Sequence, residues 1–215
     1  MSLPEAFSDL KDVSFGLYNP KPLLIVLSGP SGVGKDAILA RLKGQETSLH
    51  FVVTATTRPP RPSERDGVDY FFLSREQFER MIANGEFIEH ARVYQDYKGI
   101  PKSQIEAAFA SGKDAIVRVD VQGAARLRSL FPEAVLVFIV PDNVPEWLHR
   151  LQGRETESSE SLHVRLETVR TELAMAHLFD YVIVNAEGKL EQAVATLLHI
   201  IDAEHHRLGP RQVDI

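Results

Sequence analysis

Gly29, Gly34 and Lys35 stand at the spacing G-x-x-x-x-G-K, inside Gly29-Pro30-Ser31-Gly32-Val33-Gly34-Lys35-Asp36. Glycines let the backbone turn so tightly that successive N–H groups point at one anion, and the lysine adds a mobile cation. A helix beginning at the lysine turns the positive end of its dipole on the same point. This arrangement predicts a grip on the phosphates of a nucleoside triphosphate, with residues 29–36 as its contacts. The eighth place of the pattern is ordinarily Ser or Thr, whose hydroxyl ligates Mg²⁺. Here it is Asp36.

A second group can also hold phosphate. Arg58 and Arg61 lie three apart among Pro59, Pro60 and Pro62, which stiffen the backbone and suppress helix. Two guanidinium forks on a stiff segment each offer paired hydrogen bonds to a phosphate. The plainer meaning of two loop arginines is a solvated basic turn.

Elements must position these groups. An apolar strand at 23–27 precedes the loop and a helix at about 35–43 follows it. Residues 69–73 read as a strand. Ser74 and Gln77 form a capping box for a helix whose buried face is Phe78, Met81 and Ile82. Residues 86–94 read as a strand and 105–110 as a helix. Strands at 115–119, 134–140 and 181–184 then alternate with helices at 122–130 and 145–151. Leu162, Leu166, Val169 and Leu173 mark an amphipathic helix, and Leu190 to Ile201 a closing one. Alternation of this kind predicts an α/β fold, a doubly wound parallel sheet with helices on both faces. Residues 54–103 break the rhythm and read as an inserted lobe. The expected division is an N-terminal extension at 1–22, a core at 23–53 and 104–215, and the lobe between.

Of the 215 residues 44% are hydrophobic and 25% charged, which suits one core or one core plus a small insert. A net charge of −6 argues against a general nucleic-acid binder. The absence of cysteine excludes disulfides, thiolate catalysis and cysteine zinc sites, and fits a reducing, cytoplasmic setting. No apolar run reaches membrane-spanning length, and residues 1–22 lack the order of a signal peptide. The histidines form no spaced metal motif. His205 and His206 read as solvated, and Trp147 as a packing residue.

Taken in order, Ser28-Gly29-Pro30-Ser31-Gly32-Val33-Gly34-Lys35, Thr56-Thr57-Arg58-x-Pro60-Arg61-Pro62, Asp69-Tyr70-x-Phe72 and Gly85-Glu86-Phe87-Ile88-Glu89-His90-Ala91 resemble guanylate kinase. Asp120-x-Gln122-Gly123, Arg150-Leu151-x-x-Arg154 and Ile183-Val184-Asn185 extend the resemblance to about residue 205. It implies a P-loop NTPase fold of three layers, with the lobe binding GMP and a helical lid at about 150–165. The implied activity is transfer of a phosphoryl group from ATP, with Mg²⁺, to GMP, dGMP being a further acceptor left open. By position, Arg58, Arg61 and Tyr70 would hold the GMP phosphate, and Thr54, Glu89 and Asp120 would face guanine. A carboxylate suits that edge, because guanine's N1–H and 2-amino group are both donors. Lys35, with Arg150, Arg154 and Arg165 of the lid, would surround the transferring group, and Asn185 would meet adenine. Such an enzyme is expected as a monomer or homodimer with no nucleic-acid or membrane partner. Two other readings stay open. One is a related kinase acting on another phosphorylated acceptor such as a ribose bisphosphate; the other is a catalytically weak guanylate-kinase-like binding module.

The chain departs from the family's pattern at Asp36, at Arg118, where an Asp is usual, and at Lys98-Gly99-Ile100, where Tyr-Gly-Ser/Thr is usual. The usual Ser plus Asp carries −1, whereas Asp36 plus Arg118 carries zero. We expect an ion pair between them, leaving Mg²⁺ to phosphates and water, which that ion tolerates. The rival expectation is that Asp36 ligates the metal directly. Lys98 brings a positive charge toward the acceptor phosphate, while Ile100 has no hydrogen bond to donate.

Overall fold

Strand β1 (Leu24–Ser28) is buried along its whole length, and its alternation divides the core into two. Leu23, Ile25 and Leu27 pack with Ile38, Leu42, Val194 and Leu197, whereas Leu24 and Val26 pack with Ile105, Ala124 and Leu127. Successive strand side chains point to opposite faces, so one apolar run serves both layers of helices. The computed structural model describes residues 15–45, 48–62, 64–93, 95–152 and 168–213. Arg154, Arg165 and most of the expected lid lie outside the described residues.

After β1 come α1 (Lys35–Lys43), β2 (Leu49–Phe51), β3 (Ala55–Thr56), β4 (Phe71–Phe72), α2 (Arg75–Ala83), β5 (Phe87–Val93) and β6 (Asp96–Pro101). Next follow α3 (Lys102–Ala110), β7 (Asp114–Arg118), α4 (Val121–Leu130), β8 (Val135–Val140) and α5 (Val144–Gln152). Residues 168–174 are the described part of α6, ahead of β9 (Tyr181–Val184) and α7 (Leu190–His205). Five strands form a parallel sheet in the order β2-β7-β1-β8-β9. Among the described residues no helix is long and apolar enough to cross a membrane.

A second, mixed sheet runs β4-β3-β6-β5, with α2 closing its core through Phe78, fully buried and stacked on Phe87 at 4.3 Å. The capping box of α2 is present in both directions, Ser74 Oγ accepting from the Gln77 amide and Gln77 Oε1 from the Ser74 amide. Strand β6 is absent from the sequence reading, because Lys98-Gly99-Ile100-Pro101 has the composition of a loop. Tertiary packing overrides that composition. A Cβ on Gly99 would lie 2.8 Å from Phe87 and 2.9 Å from Phe78, so glycine is what lets the strand reach the aromatic cluster. Ile100 is 1% exposed and joins the main core between the sheet and α3.

The C-terminal end corrects one expectation. His205 is not solvated: its Nε2 lies 2.8 Å from the buried Asp114 carboxylate, whose other oxygen accepts from the Leu23 amide. His206 is exposed as expected.

Candidate active site

The phosphate loop leaves β1 at the carboxyl edge of the parallel sheet, where doubly wound folds place ligands. Gly29 has φ +138°, and a Cβ there would run into the Ile139 carbonyl of β8. Gly34 is left-handed at φ +93° and opens α1. Inside the loop, Lys35 Nζ donates to the carbonyls of Gly29 at 2.5 Å and Pro30 at 2.9 Å.

Three side chains brace the loop from behind. Asn185, 4% exposed, donates through Nδ2 to the Val33 carbonyl at 2.8 Å. Arg150 donates to the Asn185 carbonyl at 2.8 Å and to the Val33 carbonyl at 3.3 Å, and pairs with Glu146. Trp147 is buried as expected, but its Nε1 also donates to the Ser31 carbonyl at 2.8 Å. Asn185 and Arg150 thus shape the loop, and neither is among the residues lining the cavity in front of it.

That cavity, of about 530 Å³, brings the loop together with Thr54, Arg58, Arg61, Tyr70, Glu89, Lys98 and Asp120. Pro30 contributes its carbonyl to Lys35 without lining the space. Arg58 meets Glu64 through two parallel hydrogen bonds of 2.7 and 2.6 Å. Its guanidinium carbon lies 4.9 Å from the centre of the Tyr70 ring. Arg61, more exposed, gives its backbone N–H to Glu64. Glu89 is 8% exposed on β5, and burial raises its pKa against the pull of Arg126. Both contacts from Arg126, of 2.6 and 2.5 Å, fall on Oε1 of Glu89. Asp120 caps α4 by accepting from the Gly123 amide at 2.7 Å and also faces the cavity.

Asp36 and Arg118 form the expected ion pair. Asp36 is on the exposed first turn of α1, while Arg118 ends β7 with 18% of its side chain exposed. Burial lowers the Arg118 pKa to about 10, so it stays charged at neutral pH. Among the described residues no group of three or more His, Cys, Asp or Glu is arranged to hold a metal.

Sequence reasoning missed Glu172 and Arg126. Both sit on amphipathic helices, where a lone charge reads as solvated surface, and no motif marks them. Glu172 of α6 lines the cavity, and burial lifts its carboxyl to about 7 although Lys35 opposes the shift. Lys35 is lowered to about 8, chiefly by burial, with Glu172 acting the other way. Above pH 7 the Glu172 carboxylate therefore repels a phosphate chain, and below it the group is neutral. Glu172→Gln is expected to tighten ATP binding about fivefold at pH 8, a gain that vanishes at pH 6. Titration calorimetry at the two pH values checks this, with net proton uptake on binding in the unaltered chain.

Comparison with known proteins gives a consistent result. The family model described as guanylate kinase matches residues 21–204. The chain is 49% identical over 197 residues to guanylate kinase 2, chloroplastic/mitochondrial, of Oryza sativa subsp. japonica, covering 91% of this chain and 69% of that one. It is 42% identical over 185 residues to the guanylate kinase of Shouchella clausii, covering 86% and 89%. The crystal structure of guanylate kinase from Anaplasma phagocytophilum matches with a TM-score of 0.69 and 29% identity, over 89% of this chain and 90% of that one. With a phosphate loop and an arginine–carboxylate pocket facing one cavity, and with matches of this extent, the chain belongs to the guanylate kinase family.

Proposed function

We propose that this chain transfers the γ-phosphoryl group of ATP to GMP, giving ADP and GDP. The observation that carries the reading is that the phosphate loop and the buried Glu89 line the same cavity. The loop N–H groups and Lys35 grip the donor phosphates. Arg58, Arg61, Tyr70 and Lys98 surround the acceptor phosphate, and Thr54, Glu89 and Asp120 face guanine. An ionised carboxylate only accepts hydrogen bonds, which matches the paired donors on guanine's edge. Arg126 holds Glu89 Oε1 and so fixes the orientation of that carboxylate.

An oxygen of the GMP phosphate attacks the γ-phosphorus as the bond to the β–γ bridging oxygen breaks. Such transfer asks a protein mainly for alignment and neutralisation of charge. Arg150, Arg154 and Arg165 would add to that charge on closure, and Asn185 would meet adenine after leaving Val33. The site fits Mg²⁺ entering with ATP: Asp36 is a hard oxygen ligand with 61% of its side chain exposed, though engaged by Arg118. Phosphate oxygens and water would then supply most of the coordination, and the ion would offset phosphate charge. The compartment in which the chain acts is proposed to be the cytoplasm.

The test is ADP release from Mg-ATP with GMP, dGMP, AMP, UMP and a ribose bisphosphate acceptor. GMP is expected to exceed AMP and UMP by at least about 100-fold in kcat/KM, since a site built to pair with particular donors rejects a base lacking them. Turnover of the sugar phosphate instead, or tight GMP binding without turnover, would replace this reading.

A further inference from the structure

Arg118 occupies a place that its ion pair with Asp36 does not account for. In the sheet it lies beside Leu27, two residues before the phosphate loop begins at Gly29. Its guanidinium carbon stands 4.8 Å from the centre of the Tyr70 ring, the same ring that Arg58 approaches at 4.9 Å. Toward the loop it is near enough to Lys35 to help depress that ammonium's pKa. Arg118 therefore lies between the lysine of the donor loop and the arginine–tyrosine pair of the acceptor lobe, and it lines their shared cavity.

Two guanidinium groups beside one ring, with an ammonium near, repel one another. Each arginine has its own carboxylate to offset this, Glu64 for Arg58 and Asp36 for Arg118. A phosphate chain offers the same acceptor geometry as a carboxylate with more negative charge, and a guanidinium fork matches either. Asp36 is the exposed member of its pair, so water can take up its carboxylate when Arg118 turns away.

We propose that Arg118 is a phosphate-binding residue that bridges the donor and acceptor phosphates during transfer, with Asp36 as the anion that holds it in place until they arrive. The inference rests on the kinase reading of the site. The pair is neutral as a unit. Once Arg118 turns to phosphate it supplies a fixed positive charge where the transferring group's oxygens need it.

The test uses full-length Arg118→Met and Arg118→Lys. The methionine variant is expected to lose about 100-fold in kcat for GMP phosphorylation, with each KM within about threefold, and lysine to restore about tenfold of the loss. Binding gives a second readout. A probe in which adenosine and guanosine are joined through a chain of phosphates is titrated in EDTA, so that metal plays no part. Its affinity is expected to fall about 100-fold in Arg118→Met while GMP alone binds within about threefold. A purely structural strut would weaken GMP and the linked probe by equal factors, and that result, or an unaltered kcat in Arg118→Met, overturns the proposal. Asp36→Asn keeps the arginine but loosens its hold, and is expected to bind the linked probe at least as tightly as the unaltered chain. A loss of about 100-fold there overturns the proposal even if Arg118→Met does not fold. If the unaltered chain binds the linked probe but phosphorylates no GMP, the kinase reading fails and the binding comparison still decides the role of Arg118.

Discussion

Lys35→Met is expected to lower kcat/KM for ATP by about 10³-fold, roughly 4 kcal/mol of transition-state stabilisation. The ammonium is held inside the loop by the carbonyls of Gly29 and Pro30, and Lys35 lines the cavity in front of the loop. Methionine keeps the length and apolar body of the side chain and removes the charge together with its two hydrogen bonds to the loop. Because burial disfavours the charged form of Lys35, losing the charge removes a desolvation cost that offsets the two lost hydrogen bonds, and the melting temperature is expected to hold. Steady-state kinetics with a thermal melt separates this loss from unfolding. A pH profile adds a second check on the same group. kcat/KM reports the free enzyme, and the Lys35 pKa there is about 8. The ammonium is present below that value and lost above it, so kcat/KM for ATP falls as pH rises through about 8. Bound phosphates favour the charged form, so kcat holds to higher pH.

Glu89→Gln carries the largest expected effect on the acceptor side, a fall of about 10²–10³ in kcat/KM for GMP with KM for ATP unchanged. Glutamine preserves shape but presents one acceptor and one N–H₂ donor. A donor turned on guanine's own donors leaves a buried polar contact unmade. Arg126 also loses its anion. With 40% of its side chain exposed, however, it remains solvated, and the stability change is expected to stay within about 1 kcal/mol. The acceptor series under matched conditions checks the prediction: GMP and dGMP should fall together, and AMP should not improve to match them. Equal losses for every acceptor and for ATP would instead mean that Glu89 only supports the lobe.

Several parts of this site are legible in the sequence alone, most of them for a local reason. The loop's turn is enforced by glycines at neighbouring positions, and Gly29 and Gly34 indeed take positive φ. The capping box of α2 closes within four residues. The apolar run of β1 needs helices on both sides wherever it lies in the chain. Asp36 with Arg118 was readable for a different reason. Two departures of opposite charge, one at the start of the loop helix and one on the neighbouring strand, compensate only if they touch, and they do.

Other features depended on partners remote in the chain. Arg126 reaches Glu89 across 37 residues, Trp147 reaches Ser31 across 116, and Asn185 reaches Val33 across 152. Nothing in the residues flanking those side chains distinguishes a solvated charge or a packing aromatic from a brace on the phosphate loop. Strand β6 exists because β3 and β5 flank it and Phe78 and Phe87 fill the room beside Gly99, against the preference of its own composition. By itself, then, the sequence determined the alternating α/β order and the phosphate loop and, through its resemblance, which groups are proposed to read the acceptor. Only the tertiary structure decided which of those groups face the cavity, which brace the loop, and that Glu172 and Arg118 stand beside Lys35. Backbone turns and caps are settled by interactions a few residues long. The environment of a charge is settled by whatever the fold carries up against it.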